Sequence, residues 1–295
     1  MDRRELIILF MKGLVIGTAD SVPGVSGGTI AFISGIYTRL LNALRGCHPG
    51  QLRLLWREGP GAFWRAIDGT FLLTLALGIL SALILMANLV LHLLETRFVL
   101  VMAFFLGLVI ASCWLMRKEA APWTGAQCLL FGAGFIVTVL MSMVNPVSGS
   151  QSLPYLFFSG ALAICAMILP GMSGAFILLL LGVYEYVLDA LRSVQMDIIV
   201  VFAVGCIVGL LSFSHFLSWL LRRFPQQTYA FLIGMMAASL VVLWPWSRDP
   251  EFIVVAEIIP VVVAAALGTG LILGFSRYAH RKSAVPAANG PTAGR

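Results

Sequence analysis

Residues 13–45 read GLVIGTADSVPGVSGGTIAFISGIYTRLLNALR, and residues 160–192 read GALAICAMILPGMSGAFILLLLGVYEYVLDALR. The two stretches align without a gap at an offset of 147, and 13 of the 33 aligned positions are identical. Both contain the pattern Pro-Gly-x-Ser-Gly, at residues 23–27 and 170–174. Further matches pair Gly78 with Gly205 and Gly107 with Gly234, and Gly132-Ala-Gly134 is aligned with Gly268-Thr-Gly270. A repeat of this extent predicts a chain built from two related halves.

The composition predicts that the chain lies in a membrane. Its 295 residues are 60% hydrophobic and 11% charged, and the mean hydropathy is +0.98, which is more apolar side chain than a soluble core of this size buries. The net charge of +6 comes from short Lys and Arg clusters between apolar runs, a distribution typical of contact with membrane lipid rather than with nucleic acid. Five scattered cysteines and no His at ligand spacing predict no metal, no disulfide framework and no cofactor.

Apolar runs long enough to span a bilayer follow a broken helical hairpin in each half. The hairpins are predicted at 5–44 and 153–191, and a surface amphipathic segment at 49–68. The hairpins either cross the membrane fully or re-enter from one side, and the Gly and Ser content of their turns favours re-entry. The predicted spans are 70–94, 98–116 and 124–141 in the first half, and 197–221, 228–246 and 252–275 in the second.

The distribution of positive charge predicts the orientation. With the N-terminus inside, thirteen Lys and Arg residues flanking the spans are cytoplasmic and three are outside, as expected for a bacterial inner-membrane protein with both termini cytoplasmic. A hairpin returns to its own side, so three spans bring the second half in from the opposite face. The predicted fold is therefore an all-α membrane protein with inverted repeats at 1–141 and 153–276. They are joined by an outer loop at 142–152 and followed by a disordered cytoplasmic tail at 277–295.

The repeated break has the features of an anion site. Proline ends one helix, glycine permits the turn, and the first N-H groups of the next helix lack intrahelical partners and carry partial positive charge. Such an end binds phosphate without Lys or Arg. The alternative is that both motifs are tight turns between packed helices. The predicted structural breaks are Pro23, Gly24, Pro170 and Gly171, and the predicted phosphate-binding residues are Ser26, Gly27, Gly28, Thr29, Ser173 and Gly174.

Ionisable and aromatic residues on the hairpins are further candidates. An ionisable group at membrane depth is energetically costly, so it is by default a functional candidate. Each charged side chain has the alternative of reaching the interface, and each tyrosine that of belonging to the aromatic belt. The candidates for energy coupling or headgroup contact are Asp20, Lys12, Arg39, Tyr37, Tyr184 and Glu185.

Residues 17–29, GTADSVPGVSGGT, and residues 167–174, MILPGMSG, together with GVYE at 182–185, resemble the PopT-type polyprenyl-phosphate translocases. The resemblance covers nearly the whole chain. It implies a flippase that returns undecaprenyl phosphate from the outer to the inner leaflet, where the carrier serves cell-envelope glycan synthesis. The implied site comprises Asp20, the two Pro-Gly-x-Ser-Gly motifs, and Gly28 and Thr29 after the first motif. After the second Ser-Gly, where the family often has a small or hydroxylated residue, this chain has Ala175. The second tip therefore has one hydroxyl fewer, and the resemblance does not imply a symmetric role of the two tips.

The residues alone indicate a secondary transporter of an anion, and only the resemblance specifies undecaprenyl phosphate as its partner. One alternative is transport of a soluble anion on the same scaffold. Another is an intramembrane enzyme acting on lipid phosphates. That chemistry needs a nucleophile with a base or a metal cluster, and the four dispersed histidines supply neither. The sequence leaves open whether the chain forms a homo-oligomer.

Overall fold

The computed structural model describes residues 2–20, 26–47, 57–146, 149–246 and 255–283, and every regular element among them is an α-helix. The predicted all-α class is confirmed. The first half contains α1 Arg3–Asp20, α2 Gly27–Ile33, α3 Tyr37–Gly46, α4 Pro60–Ala66, α5 Gly69–Thr96, α6 Phe98–Met116 and α7 Gly125–Met143. The second half contains α8 Leu153–Ile168, α9 Gly174–Leu180, α10 Tyr184–Arg192, α11 Met196–Arg223, α12 Pro225–Val242 and α13 Val255–Ser283.

Several helices are suited to cross a bilayer. Within the described residues, α6, α7 and α11 are each long and apolar enough, and two bent helix pairs raise the number to as many as five. One bent pair joins α4 to the first part of α5 at 70°, and the other joins α9 to α10 at 109°. The outward faces carry large apolar side chains such as Ile84 and Leu129, which are 76% and 77% exposed. Faces of this kind require lipid around them, so the chain is a multi-pass membrane protein.

The second arm of each predicted hairpin is broken a second time. The sequence predicts these arms, residues 26–44 and 173–191, as single helices, and this part of the prediction is wrong. Gly35 and Gly182 have φ of 71° and 67°, a left-handed conformation that glycine adopts without strain. The N-H of Ile36 donates to Ala31 O at 3.2 Å. The second half repeats this bond, which belongs to the Schellman ending of a helix. A short helix therefore lies between two breaks in both halves.

Helices of the two halves pack in matching pairs. Within the first half α1 packs along α5, and within the second half α8 packs along α11. Between the halves α6 packs along α13, and α12 packs along α7. Because α6 and α12 occupy the same place in the order of their halves, as do α7 and α13, these two contacts between the halves are counterparts of each other. α3 departs from this pattern, since it also packs on α11 of the other half.

Glycines bring the paired backbones together within each half. A Cβ on Gly13 of α1 would lie 2.9 Å from the Cα of Gly78 on α5. A second contact of this kind occurs in both halves, since a Cβ on Gly78 would lie 2.4 Å from the Phe10 carbonyl oxygen and one on Gly205 of α11 would lie 2.1 Å from the Phe157 carbonyl oxygen. Small residues at helix contacts permit such close packing, which replaces the hydrophobic driving force that is missing inside a lipid bilayer.

Glycines also form the contacts between the halves and correct the alignment of the last spans. A Cβ on Gly134 would lie 2.2 Å from the Phe231 carbonyl oxygen, and one on Gly268 would lie 2.0 Å from that of Phe104. Gly134 and Gly268 are therefore counterparts. The sequence alignment paired Gly132 with Gly268, but a Cβ on Gly132 would contact nothing within 4 Å. The alignment was two residues out of register because it followed the Gly-x-Gly pattern instead of the buried glycine.

The main apolar core joins the broken segments to the long helices. It includes buried residues of α2, such as Ile30 and Phe32. It also includes Ile168 and Met172 of the second turn, which is the connection between α8 and α9 at residues 168–173. These pack with buried residues of α6, α11 and α12, among them Leu108, Leu217 and Met236. Most of α2 is thus buried in the interior, whereas α9 contributes one buried residue, Ile177.

Candidate functional site

The first broken segment, residues 26–37, contacts the second turn directly through polar groups. The Ser26 hydroxyl donates to the Leu169 carbonyl oxygen at 3.3 Å, and the hydroxyl oxygen of Thr29 accepts the N-H of Gly171 at 3.0 Å. Ser26 and Thr29 are 3% and 1% exposed, so these bonds are shielded. Residues separated by more than 140 positions therefore form one structural unit. The breaks Pro23 and Gly24 lie outside the described residues.

Tyr37 adds a third bond between the segments and is buried. Its hydroxyl donates to the Ile168 carbonyl oxygen at 3.1 Å. Its ring packs edge-on against Phe32, with ring centroids 5.0 Å apart, and Phe32 also lies against Tyr229 of α12. Tyr37 is thus a buried structural contact in this conformation rather than a residue of an interfacial aromatic belt. Tyr229 was not among the residues predicted for the site, because it lies in a mainly apolar predicted span.

The contact between the segments is one-sided. At the offset of 147, the counterparts of Ser26, Thr29 and Tyr37 are Ser173, Phe176 and Tyr184. Phe176 has no hydroxyl, and within the described part of the chain neither of the other two side chains forms a hydrogen bond. Ser173 is half-buried rather than enclosed. The first segment therefore supplies the polar side chains of the contact, and the second supplies backbone groups.

Asp20 occupies the start of α2. Its carboxylate accepts the N-H of Gly27 at 2.6 Å, and a Cβ on Gly27 would lie 2.3 Å from the same carboxylate. A negative charge is favourable at the first N-H groups of a helix, so the chain supplies its own anion there. The counterpart of Asp20 in the second half is Met167, which has no charge. The start of α9 consequently has no internal carboxylate of this kind.

Space beside the other glycines of the motifs is also filled. A Cβ on Gly28 would lie 2.8 Å from the Ile168 carbonyl oxygen, and one on Gly174 would lie 2.7 Å from that of Ala163. Gly171 has a φ of 85° and approaches the Met235 carbonyl oxygen. Gly27, Gly28 and Gly174 were predicted to bind phosphate, which requires room beside their backbone. In this conformation the room is taken by Asp20 and by backbone carbonyls.

The two serines have nearly the same backbone conformation. Ser26 has φ −111° and ψ 128°, Ser173 has φ −109° and ψ 128°, and neither side chain caps the helix that follows. Each helix has only seven residues, so its macrodipole is short and the individual N-H groups matter more than the dipole. Because the Ser173 hydroxyl is not used as a cap, it remains able to bind another group.

The remaining charged candidates lie in different places. The Lys12 ammonium donates to the Ser34 carbonyl oxygen at 2.7 Å, where a positive charge suits the end of α2. Arg39 pairs with Asp68 at 2.7 Å and lies over the ring of Phe71, which ties α3 to the start of α5. Glu185 is exposed on α10. None of the three lies in the contact between the two segments.

Metal chemistry has no support among the described side chains. No group of three or more His, Cys, Asp or Glu residues that could hold a metal ion occurs in that part of the chain. The polar groups that the fold brings together are hydroxyls, backbone amides and one carboxylate. The hydroxyls and amide N-H groups can bind an anion, with which the carboxylate competes. Together these groups provide neither a nucleophile with an adjacent base nor a Lewis acid.

A multi-pass helical protein with two broken helical segments in contact has features typical of a membrane transporter. Residues 16–257 match the undecaprenyl phosphate translocase-like family, and the chain belongs to that family. It is 45% identical over 239 residues to a polyprenyl-phosphate transporter of Vibrio cholerae, covering 81% of this chain and 78% of the relative. It is 30% identical over 257 residues to a polyprenyl-phosphate transporter of Staphylococcus aureus, covering 81% of this chain and 86% of that relative. No solved structure matches the chain. The predicted family is confirmed, and both relatives are named as transporters.

Proposed function

We propose that the protein moves undecaprenyl phosphate from the outer to the inner leaflet of the bacterial inner membrane. The returned carrier then serves cell-envelope glycan synthesis. Both relatives are named polyprenyl-phosphate transporters, and the family is named for undecaprenyl phosphate. The excess of Lys and Arg on one side of the spans supports cytoplasmic termini.

The proposed architecture consists of two inverted repeats. It is supported by the shared helix order of the halves and by the matching contacts of α6 with α13 and of α12 with α7. In transporters with inverted repeats the substrate site lies where the broken helices of the two repeats approach each other. The observation that carries the proposal is the contact of Ser26 and Thr29 with Leu169 and Gly171.

The proposed phosphate site consists of the start of α2 and the start of α9. At α2 the Asp20 carboxylate holds the N-H of Gly27, so an incoming phosphate has to displace this carboxylate. At α9 the Ser173 hydroxyl and the first N-H groups are the donors, and no carboxylate competes for them. In the conformation described here, the Asp20 carboxylate therefore occupies half of the proposed site.

Transport follows as alternating access. The bonds from Ser26, Thr29 and Tyr37 hold the two segments together, and their release allows one half to move against the other. A phosphate can accept from the same three donors, the Ser26 and Tyr37 hydroxyls and the N-H of Gly171, and bonds to a charged acceptor are stronger than bonds to a neutral one. The isoprenoid tail stays in lipid while the headgroup passes between the segments.

The test uses Ser26→Leu and Ser173→Leu, with binding of undecaprenyl phosphate measured in nanodiscs. A bulky apolar group at either position excludes the phosphate, and we expect at least a tenfold loss of affinity, about 1.4 kcal/mol. Ser193→Leu, on an exposed turn of the second half, is the control and keeps full affinity. Ser26→Ala, which removes only the hydroxyl, guards against misfolding at this buried position. Unchanged affinity in both leucine variants contradicts the site.

A further inference from the structure

An apolar cavity of about 200 Å³ lies beside the first broken segment. Its walls come from the last two turns of α1, from α2, from α6 and from α13. Apart from Thr18 the lining side chains are apolar, and the Thr18 hydroxyl is occupied by its own helix at the Leu14 carbonyl oxygen. The cavity therefore suits a hydrocarbon and offers nothing to a polar ligand.

The cavity begins next to the proposed phosphate site. Ala19 in its wall immediately precedes Asp20, and Ile30 immediately follows Thr29. Both wall residues are buried, at 1% and 4% exposure. A ligand whose charged group reaches the start of α2 thus has its next atoms at the inner end of the cavity.

The other end of the cavity opens toward the surface of the protein. Val15 on α1 is 41% exposed and Leu271 on α13 is 51% exposed, and both line the cavity. In a membrane protein an apolar surface of this kind faces lipid hydrocarbon. The cavity is consequently a groove that connects the bilayer interior with the headgroup site.

We infer that this groove holds the first isoprene units of the substrate's polyprenyl tail, an inference that rests on the proposed function. An apolar protein cavity of about 150 Å³ accommodates benzene, with six carbons. A groove of about 200 Å³ therefore holds one to two five-carbon isoprene units. The rest of the tail extends past Val15 and Leu271 into the bilayer. Because lipid is as apolar as the groove, packing shape rather than hydrophobic transfer provides the selectivity.

A second apolar cavity, about 360 Å³ and lined by α10 and α11, provides a control. It has no wall residue in α1, in α2 or in the second turn. An acyl chain lying in this cavity has no contact with Asp20 or Thr29. Of these two cavities, the groove beside the first segment is the one that lies next to the proposed headgroup site.

The experiment fills the groove with tryptophan from its lipid-facing rim and measures binding in nanodiscs. The test variants are Val15→Trp and Leu271→Trp. The matched controls are Met11→Trp and Leu267→Trp, each one turn away on the same helix and exposed to lipid. Ile207→Trp, at the rim of the second cavity, controls for filling an unrelated groove. The probes are undecaprenyl phosphate and hexadecyl phosphate, which has an unbranched tail.

We expect wild type and all three controls to bind undecaprenyl phosphate more tightly than hexadecyl phosphate. In the two test variants, affinity for undecaprenyl phosphate falls about tenfold and the preference for the isoprenoid is lost. Equal affinity of test and control variants overturns the groove assignment, as does a wild type without preference between the tails. A wild type that binds neither lipid refutes the proposed function itself, together with the groove, and is thereby distinguished from failure of the groove alone.

Discussion

Replacing Asp20 with asparagine removes the internal anion from the start of α2 while keeping the shape of the side chain. The carboxylate accepts the N-H of Gly27 at 2.6 Å, the donor that the proposed site offers to phosphate. Asparagine retains an oxygen that can accept the same bond but carries no charge. If phosphate and carboxylate compete for this donor, the Asp20→Asn variant binds undecaprenyl phosphate more tightly than wild type does.

The expected gain in affinity follows from the difference in hydrogen-bond strength between a charged and a neutral acceptor. A hydrogen bond to a charged group contributes about 1.5–3 kcal/mol and one to a neutral group about 0.5–1.5 kcal/mol. The difference of about 1–1.5 kcal/mol corresponds to roughly five- to tenfold in affinity. Two unit charges 4 Å apart repel by about 4 kcal/mol at an effective dielectric constant of 20, so any residual proximity of the two anions increases the effect.

The assay is equilibrium binding of undecaprenyl phosphate to the purified protein in nanodiscs of uncharged lipid. Asp189→Asn is the matched control, since Asp189 is an exposed carboxylate on α10 whose ion-pair partner is also exposed. We expect the control to bind as wild type does, because exposed pairs of this kind contribute little. Equal or weaker binding by Asp20→Asn refutes the competition between carboxylate and phosphate.

Two further predictions concern the contacts that position the site. Thr29→Val keeps the shape of the side chain but leaves the buried N-H of Gly171 without its acceptor. We expect a loss of about 1–3 kcal/mol in stability, seen as a lower melting temperature in detergent, whereas Thr74→Val on the exposed face of α5 has little effect. Gly268→Ala places a Cβ 2.0 Å from the Phe104 carbonyl oxygen and destabilises by about 1–3 kcal/mol. Gly270→Ala is the control, because a Cβ on Gly270 has nothing within 4 Å. We expect it to leave the melting temperature unchanged or to raise it. Equal effects of Gly268→Ala and Gly270→Ala contradict the close helix contact.

The class of fold was predictable because lipid allows few solutions. Long apolar runs can satisfy their backbone groups in a bilayer only as helices, so composition and run length identify an all-α membrane protein. The second break of each hairpin was not predicted, although Gly35 and Gly182 were matched in the repeat. A glycine inside an apolar helix serves equally as a helix contact or as a left-handed ending, and the sequence pattern does not distinguish the two.

The polar residues of the candidate site were predictable, but their partners were not. Duplication of Pro-Gly-x-Ser-Gly singled out Ser26 and Ser173, yet nothing in the sequence indicated that Ser26 binds the backbone of the other half while Ser173 does not. Asp20 was proposed for coupling on the basis of its charge at depth. Its bond to Gly27 depends on how the chain returns after residues 21–25, and local sequence does not determine that geometry.

The most direct test of the account is movement of undecaprenyl phosphate between leaflets of proteoliposomes, with uptake of inorganic phosphate measured in the same preparation. We expect the wild-type protein to accelerate redistribution of the lipid and to take up no inorganic phosphate. We expect Ser26→Leu and Ser173→Leu to abolish this acceleration. Uptake of inorganic phosphate without lipid movement contradicts the account and identifies the chain as a transporter of soluble anions.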